Sequence, residues 1–89
     1  MFEWDEHNSE HVAEHGLDPD DVEEALIDPR RLGAPAYDVN GEERRAVIGT
    51  TCAGRLLFVV VTRRGDFIRV VTARDVTERE KKRYHRRAK

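Results

Sequence analysis

Six consecutive residues, Leu56, Leu57, Phe58, Val59, Val60 and Val61, are apolar. Successive side chains of a β-strand point to opposite faces, so a strand that is apolar at every position needs cover on both. Helices on at least one face are the expected cover. On either side lie runs rich in β-branched residues, 44–51 and 67–74, set off by Cys52-Ala53-Gly54 and by Arg64-Gly65-Asp66. Those intervening residues are turn chemistry, and the pattern predicts a three-stranded antiparallel meander. The apolar run is far short of the roughly 20 residues that a helix needs to cross a bilayer, so no membrane association is expected. Only 38% of the 89 residues are hydrophobic and an equal share are charged, which leaves material for one small core. A single domain over 1–89 is the expectation.

Helix signals flank the meander. Asp5 is placed to cap a helix over residues 5–15, with Gly16 supplying the left-handed position after it. Asp18-Pro19-Asp20-Asp21 reads as a cap, a first-turn proline and acids at a helix start; Val22, Ala25 and Leu26 follow at helical spacing, and Pro29 marks the end. Residues 30–41, with Gly33, Pro35, Asn40 and Gly41, form a loop with room for a short edge strand near 36–39. Thr77 and Glu80 make a capping-box pattern before a basic helix over 78–89, whose few apolar residues (Val76, Tyr84 and Ala88) predict weak docking. The fold class is therefore α+β: two short N-terminal helices, an antiparallel sheet of three to four strands, and a C-terminal helix.

The net charge of −2 hides a segregation. Residues 1–29 carry eleven acids and neither Lys nor Arg, whereas residues 30–89 carry all sixteen cations, mostly arginine, against seven acids. Surface ion pairs between the two parts would neutralise some of this at about 0–1 kcal/mol each. They do not explain the preference for arginine, whose planar fork suits phosphate or carboxylate. The basic part is expected to attract a polyanion. One cysteine, Cys52, and an opening Phe2-Glu3-Trp4-Asp5 without a secretory pattern point to a reducing cytoplasm.

Arg44, Arg55, Arg63, Arg69 and Arg74 lie on the strands or their approaches, with Glu42 and Thr62 near them. By ideal alternation Ile68, Val70, Thr72 and Arg74 share one face of the last strand, while Phe67, Arg69, Val71 and Ala73 share the other. A bulge would shift that phase. Arg69 thus interrupts an apolar face and must either meet a carboxylate such as Glu42 or open into an anion-receiving cleft. RNA can be cleaved without metal when its 2′-hydroxyl attacks the adjacent phosphorus, given a base, a proton donor and cations at the developing charge. His15, Glu42 and Tyr84 are candidate proton movers, against plainer roles as helix-end cap, arginine partner and core anchor. His7, His11 and His15 recur every four residues, a spacing that permits zinc ligation but lacks a third-ligand motif, and Cys52 has no evident base beside it. No metal or cofactor is expected.

Phe2-Glu3-Trp4-Asp5-Glu6, His15-Gly16, Gly41-Glu42-Glu43-Arg44, Gly54-Arg55-Leu56-Leu57, the Val59-Val60-Val61-Thr62-Arg63 run and Ile68-Arg69-Val70-Val71-Thr72-Ala73-Arg74 occur in an order that resembles the BrnT family. The resemblance covers nearly the whole chain. It implies a compact RelE-like fold, a ribonuclease activity that arrests translation, and membership of a bacterial type II toxin–antitoxin pair. It also implies a BrnA-like antitoxin as partner, served by the acidic first third, with DNA met only through that antitoxin. The polar positions that match are His15, Glu42, Arg44, Arg55, Thr62, Arg69, Arg74 and Tyr84. Where many members of the family carry lysines in the first helix, this chain has His7, Asn8, His11 and Glu14, so that helix offers phosphate no cation.

The resulting expectation is a metal-independent endoribonuclease. Arg69, Arg74 and Arg44 grip the scissile phosphate, Glu42 or His15 moves a proton, and Arg55, Thr62, Arg63, Arg79, Arg83 and Tyr84 contact flanking RNA. The alternative is a non-catalytic module that binds nucleic acid or a regulatory protein with the same cations. A purely structural subunit is a third reading, and a homo-oligomer is compatible with all three.

Overall fold

The computed structural model describes residues 1–33 and 37–87. Its elements in chain order are β1 (Phe2–Glu3), α1 (Glu6–Ala13), α2 (Pro19–Leu26), β2 (Leu32–Gly33), β3 (Tyr37–Val39), β4 (Glu42–Thr50), β5 (Leu56–Arg64), β6 (Phe67–Asp75) and α3 (Glu78–Arg87). The α+β class and the three long strands are as expected. Ala36, where the edge strand was expected to begin, and Ala88 and Lys89, the expected end of the last helix, lie outside the described residues.

The sheet is larger than expected and mixed. Its order is β1-β6-β5-β4-β2, with β3 also paired to β4, which makes six strands instead of three or four. One pairing is parallel: Phe2 lies opposite Ile68 and Glu3 opposite Arg69. Strands of two residues carry no periodicity, so β1 and β2 leave no trace in the sequence pattern. Helix starts were clearer. Asp5 accepts from the Asn8 amide while the Asn8 side chain accepts from the Asp5 amide, and Asp18 and Asp21 repeat the arrangement on α2. Thr77 and Glu80 close the same box on α3. The first helix ends at Ala13, short of the expected His15, and Gly16 follows at φ 73°.

Both faces of β5 are covered, as its apolar run demands. Leu57, Val59 and Val61 pack with Val70 and Ala73 of β6 beneath Val12, Val22 and Ala25 of α1 and α2. On the opposite face Ile48 and Leu32 pack with Tyr84 of α3, flanked by Leu56, Phe58 and Val76. Gly49 is where α2 comes closest: a Cβ there would lie 2.0 Å from the carbonyl oxygen of Ala25. The C-terminal helix is held more firmly than its composition suggests. Tyr84 is buried and donates its hydroxyl to Asp28 Oδ2 at 2.7 Å, and the same oxygen accepts from the Thr50 amide at 3.0 Å.

A bulge in β6 corrects the expected sorting of arginines. Val60 pairs with Thr72 but Val61 pairs with Val70, so Val71 is the extra residue. Past it the side-chain phase reverses. Val70 and Ala73 therefore share the face under α1 and α2, and Arg69 leaves that face. Directly opposed residues share a face, so Arg69, opposite Thr62, joins Arg74, opposite Phe58, on the face that carries α3.

Candidate functional site

Helix α3 covers only one end of its face, over Ile48 and Phe58. Toward the other end runs a cross-strand row in which Arg44 of β4 opposes Thr62 of β5, and Thr62 opposes Arg69 of β6. Thr62 is short and buried, and donates its hydroxyl to the Glu43 carbonyl at 2.8 Å. A short residue between two long ones leaves a depression. It forms a hollow of about 170 Å³ lined by His7, Asn8, Glu42, Arg44, Thr62, Arg69, Val70 and Val71. His7 and Asn8 come from the first turn of α1, which β1 delivers to the edge of β6. Asn8 fixes that turn, donating its buried amide to the carbonyls of Glu3 at 3.0 Å and Val70 at 3.1 Å.

The two arginines are braced by carboxylates. Arg44 Nε donates to Glu42 at 3.3 Å; Arg69 Nη1 lies 3.2 Å from Glu3 Oε1 and 2.9 Å from Asp5 Oδ2. The Asp5 hydrogen bond strengthens the hold of Arg69 on its proton, and Arg69 in turn pulls the Asp5 carboxyl below its usual range. Glu42 is thus the partner of Arg44, and the carboxylates that meet Arg69 are Glu3 and Asp5 instead of Glu42. Among the described residues these contacts engage one nitrogen of each guanidinium, and no buried side-chain polar atom lacks a partner. The remaining N–H groups of Arg44 and Arg69 are therefore not sealed in the interior, and the two residues stand in one cross-strand row.

The other expected site residues lie elsewhere. Arg74 is on the same face, but its partner Phe58 is four positions along β5 from Thr62, about 13 Å at strand rise. Its guanidinium forms two hydrogen bonds to Glu80, at 2.9 and 3.0 Å, and sits 4.2 Å over the Phe58 ring. Arg55 is similarly engaged with Asp75 at 2.7 and 2.9 Å, and reaches the carbonyls of His15 and Gly16. His15 is exposed beyond the end of α1 and does not line the hollow. Tyr84 is a core anchor: burial and its bond to Asp28 push its hydroxyl up to about 12. Thr62 is the floor of the hollow. Arg63 is exposed at the β5–β6 turn, and Arg79 and Arg83 join Lys82 and Arg86 in a cationic stripe along α3. No carboxylate lies within salt-bridge distance of these last five among the described residues.

In three dimensions the charge segregation becomes two sides. The acidic helices α1 and α2 cover one face of the sheet; the cationic stripe and the arginine row belong to the other. His11 and His15 pack edge to face with ring centres 6.1 Å apart, and His11 meets the Thr72 hydroxyl at 2.9 Å. Among the described residues no three His, Cys, Asp or Glu side chains are grouped to hold a metal ion. A family model described as the ribonuclease toxin BrnT of type II toxin–antitoxin systems matches residues 4–80.

The chain belongs to the BrnT family. The matched span contains His7, Glu42, Arg44, Thr62 and Arg69, and stops before the cationic half of α3. A search of curated proteins found no match. Membership of a type II toxin family implies an RNA substrate and an antitoxin protein as partner. No described helix of this BrnT chain is long and apolar enough to cross a membrane.

Two features of the hollow differ in how far the sequence revealed them. The Thr62–Arg69 pairing could be counted back from the turn, because Arg64 and Phe67 close a two-residue hairpin around Gly65 and Asp66. His7 was considered only for zinc. Its place beside β6 depends on the parallel pairing of Glu3 with Arg69, which leaves no local signal.

Proposed function

We propose that the chain is a metal-independent endoribonuclease toxin that seats one RNA phosphodiester over Thr62, between Arg44 and Arg69. The observation that carries this reading is the cross-strand row in which two incompletely paired guanidiniums flank the short Thr62 on the face that carries α3. Two cations across one small residue match the pairs of oxygens on a phosphate, and their carboxylate braces fix them before the substrate arrives. The 2′-hydroxyl attacks the adjacent phosphorus, the bond to the 5′-oxygen breaks, and a cyclic phosphate and a free hydroxyl result. Glu42 and His7 are the groups at the hollow suited to taking the first proton and supplying the second. The α3 stripe of Arg79, Lys82, Arg83 and Arg86 guides flanking phosphates; Arg63, paired with Ile68, is on the face under α1 and takes no part.

Two helices on one face of the sheet and a terminal helix on the other agree with a RelE-like fold, here a single BrnT-like unit over 1–89. In the cytoplasm, cleavage of messenger RNA by such a unit arrests translation. A BrnA-like antitoxin is the restraining partner. The exposed acids Glu10, Glu14, Asp18 and Asp20, on α1, α2 and their caps, fit a basic segment of it, and DNA is met only through the antitoxin. A non-catalytic binder is the second reading, favoured by the two carboxylates on Arg69, which weaken its pull on an incoming anion.

Cleavage separates the two. Purified protein is incubated with a long single-stranded RNA in EDTA, and the fragment ends are identified. Cyclic phosphate ends are expected, with cleavage slowed about 10²- to 10³-fold in Arg44→Ala and unchanged in Arg55→Ala. RNA left intact at every protein concentration removes the enzyme reading and leaves the binder.

A further inference from the structure

The arginine row does not stop at Arg44. Tyr37 of β3 is the direct cross-strand partner of Arg44, and Glu3 of β1 is that of Arg69, so Tyr37, Arg44, Thr62, Arg69 and Glu3 form one line across five strands. Direct partners share a face, which places the Tyr37 ring beside Arg44 on the side where the hollow opens. Neighbouring strands are about 4.8 Å apart, so the ring stands one strand beyond the phosphate seat. Tyr37 is 45% exposed, one of four exposed large hydrophobic residues among the described residues. The contrast with Tyr84 is informative. Tyr84 is buried and its hydroxyl is tethered to Asp28, whereas the Tyr37 hydroxyl has no hydrogen-bond partner among the described residues.

An exposed aromatic face next to a cation pair has the two parts that a single-stranded nucleotide needs: a plane for the base and donors for the phosphate. We infer that Tyr37 is a stacking platform for the base adjacent to the phosphate held by Arg44 and Arg69. This rests on the phosphate-handling reading above. A stacked base must be unpaired, so the substrate class is single-stranded RNA. Every base has a π-face, so the platform imposes little base preference at that position.

Two variants separate ring from hydroxyl. Tyr37→Phe keeps the ring, and Tyr37→Val removes it while leaving a β-branched residue suited to the strand. Binding is read with a 2′-O-methyl single-stranded oligonucleotide, which cannot supply the attacking hydroxyl, so affinity is measured apart from turnover. Tyr37→Val is expected to lose about 5- to 150-fold in affinity, the range for one stacked base. Tyr37→Phe stays within about twofold of the original protein. With cleavable RNA the Tyr37→Val loss appears in KM, and kcat is preserved, as for binding made equally in ground and transition states. A series of oligonucleotides, each with one abasic residue near the cleaved bond, contains one in which the original protein and Tyr37→Val bind alike. The inference is overturned by equal affinity of Tyr37→Val and the original protein, by a Tyr37→Phe loss as large as that of Tyr37→Val, or by an abasic series that never removes the difference. If the original protein binds no single-stranded oligonucleotide at all, the phosphate-handling reading falls together with this one.

Discussion

Replacing Tyr84 with Phe removes one oxygen and leaves the ring in place among Ile48, Leu32 and Phe58. What is lost is the 2.7 Å bond to Asp28 Oδ2. A hydrogen bond to a charged acceptor contributes about 1.5–3 kcal/mol. Burial and then Asp28 also push the phenol up from 10.0 to about 12, which holds it neutral at pH 7. For a domain of this length each kcal/mol moves Tm by roughly 4–8 °C, so Tyr84→Phe should melt about 6–24 °C lower at pH 7. The sign at alkaline pH follows from the raised value. The stabilisation is fully present below pH 10.0 and is lost as pH climbs toward about 12. The original protein should therefore lose stability over that window, and Tyr84→Phe should not. Melting is followed by circular dichroism, and RNA cleavage is measured at 25 °C where both proteins are folded; the two should cleave alike. An unchanged Tm combined with impaired cleavage would refute the reasoning, since it would place the hydroxyl on RNA instead of on Asp28.

Two further predictions test the packing and the ion pairs. Gly49→Ala must displace the carbonyl of Ala25 or the strand below it, and should cost about 3 kcal/mol or more by thermal melting. Gly33→Ala, where an added Cβ meets nothing within 4 Å among the described residues, should stay within about 0.5 kcal/mol of the original. The Arg74 hydrogen bond holds the Glu80 carboxyl below its ordinary 4.5, so its contribution is present above pH 4.5 and is lost as pH falls through the lowered value. Glu80→Gln keeps a side-chain acceptor for the Thr77 amide, and its Tm should fall less than that of the original protein between pH 5 and pH 3; parallel curves would remove Glu80 from the acid response.

Local chemistry was legible because local interactions decide it. Asp5, Asp18 with Pro19, and Thr77 with Glu80 each announce a helix start through contacts three residues apart, and the all-apolar β5 announces two covered faces. The site depended on what the sequence does not print. One extra residue at Val71 moved Arg69 to the opposite face, and no residue type there marks a bulge. Asp5 was read as a helix cap and it is one, yet its second oxygen also braces Arg69, a contact that exists only because β1 lies parallel to β6. Tyr84 was open to both a substrate contact and a core anchor in sequence, with the anchor the plainer reading; the partner that decides it, Asp28, is 56 residues away. Arg55 and Arg74 resembled phosphate ligands until Asp75 and Glu80 were found on them.

The account turns on whether Arg44 touches phosphate and Arg55 does not. Affinity for a 2′-O-methyl single-stranded oligonucleotide, measured from 50 to 300 mM KCl, decides this, because each phosphate contact contributes about 0.7 to the slope of log affinity against log salt. Arg44→Ala should flatten that slope by about 0.7 while Arg55→Ala leaves it unchanged. Equal slopes for Arg44→Ala and the original protein, or a flattening confined to Arg55→Ala, would contradict the phosphate seat over Thr62.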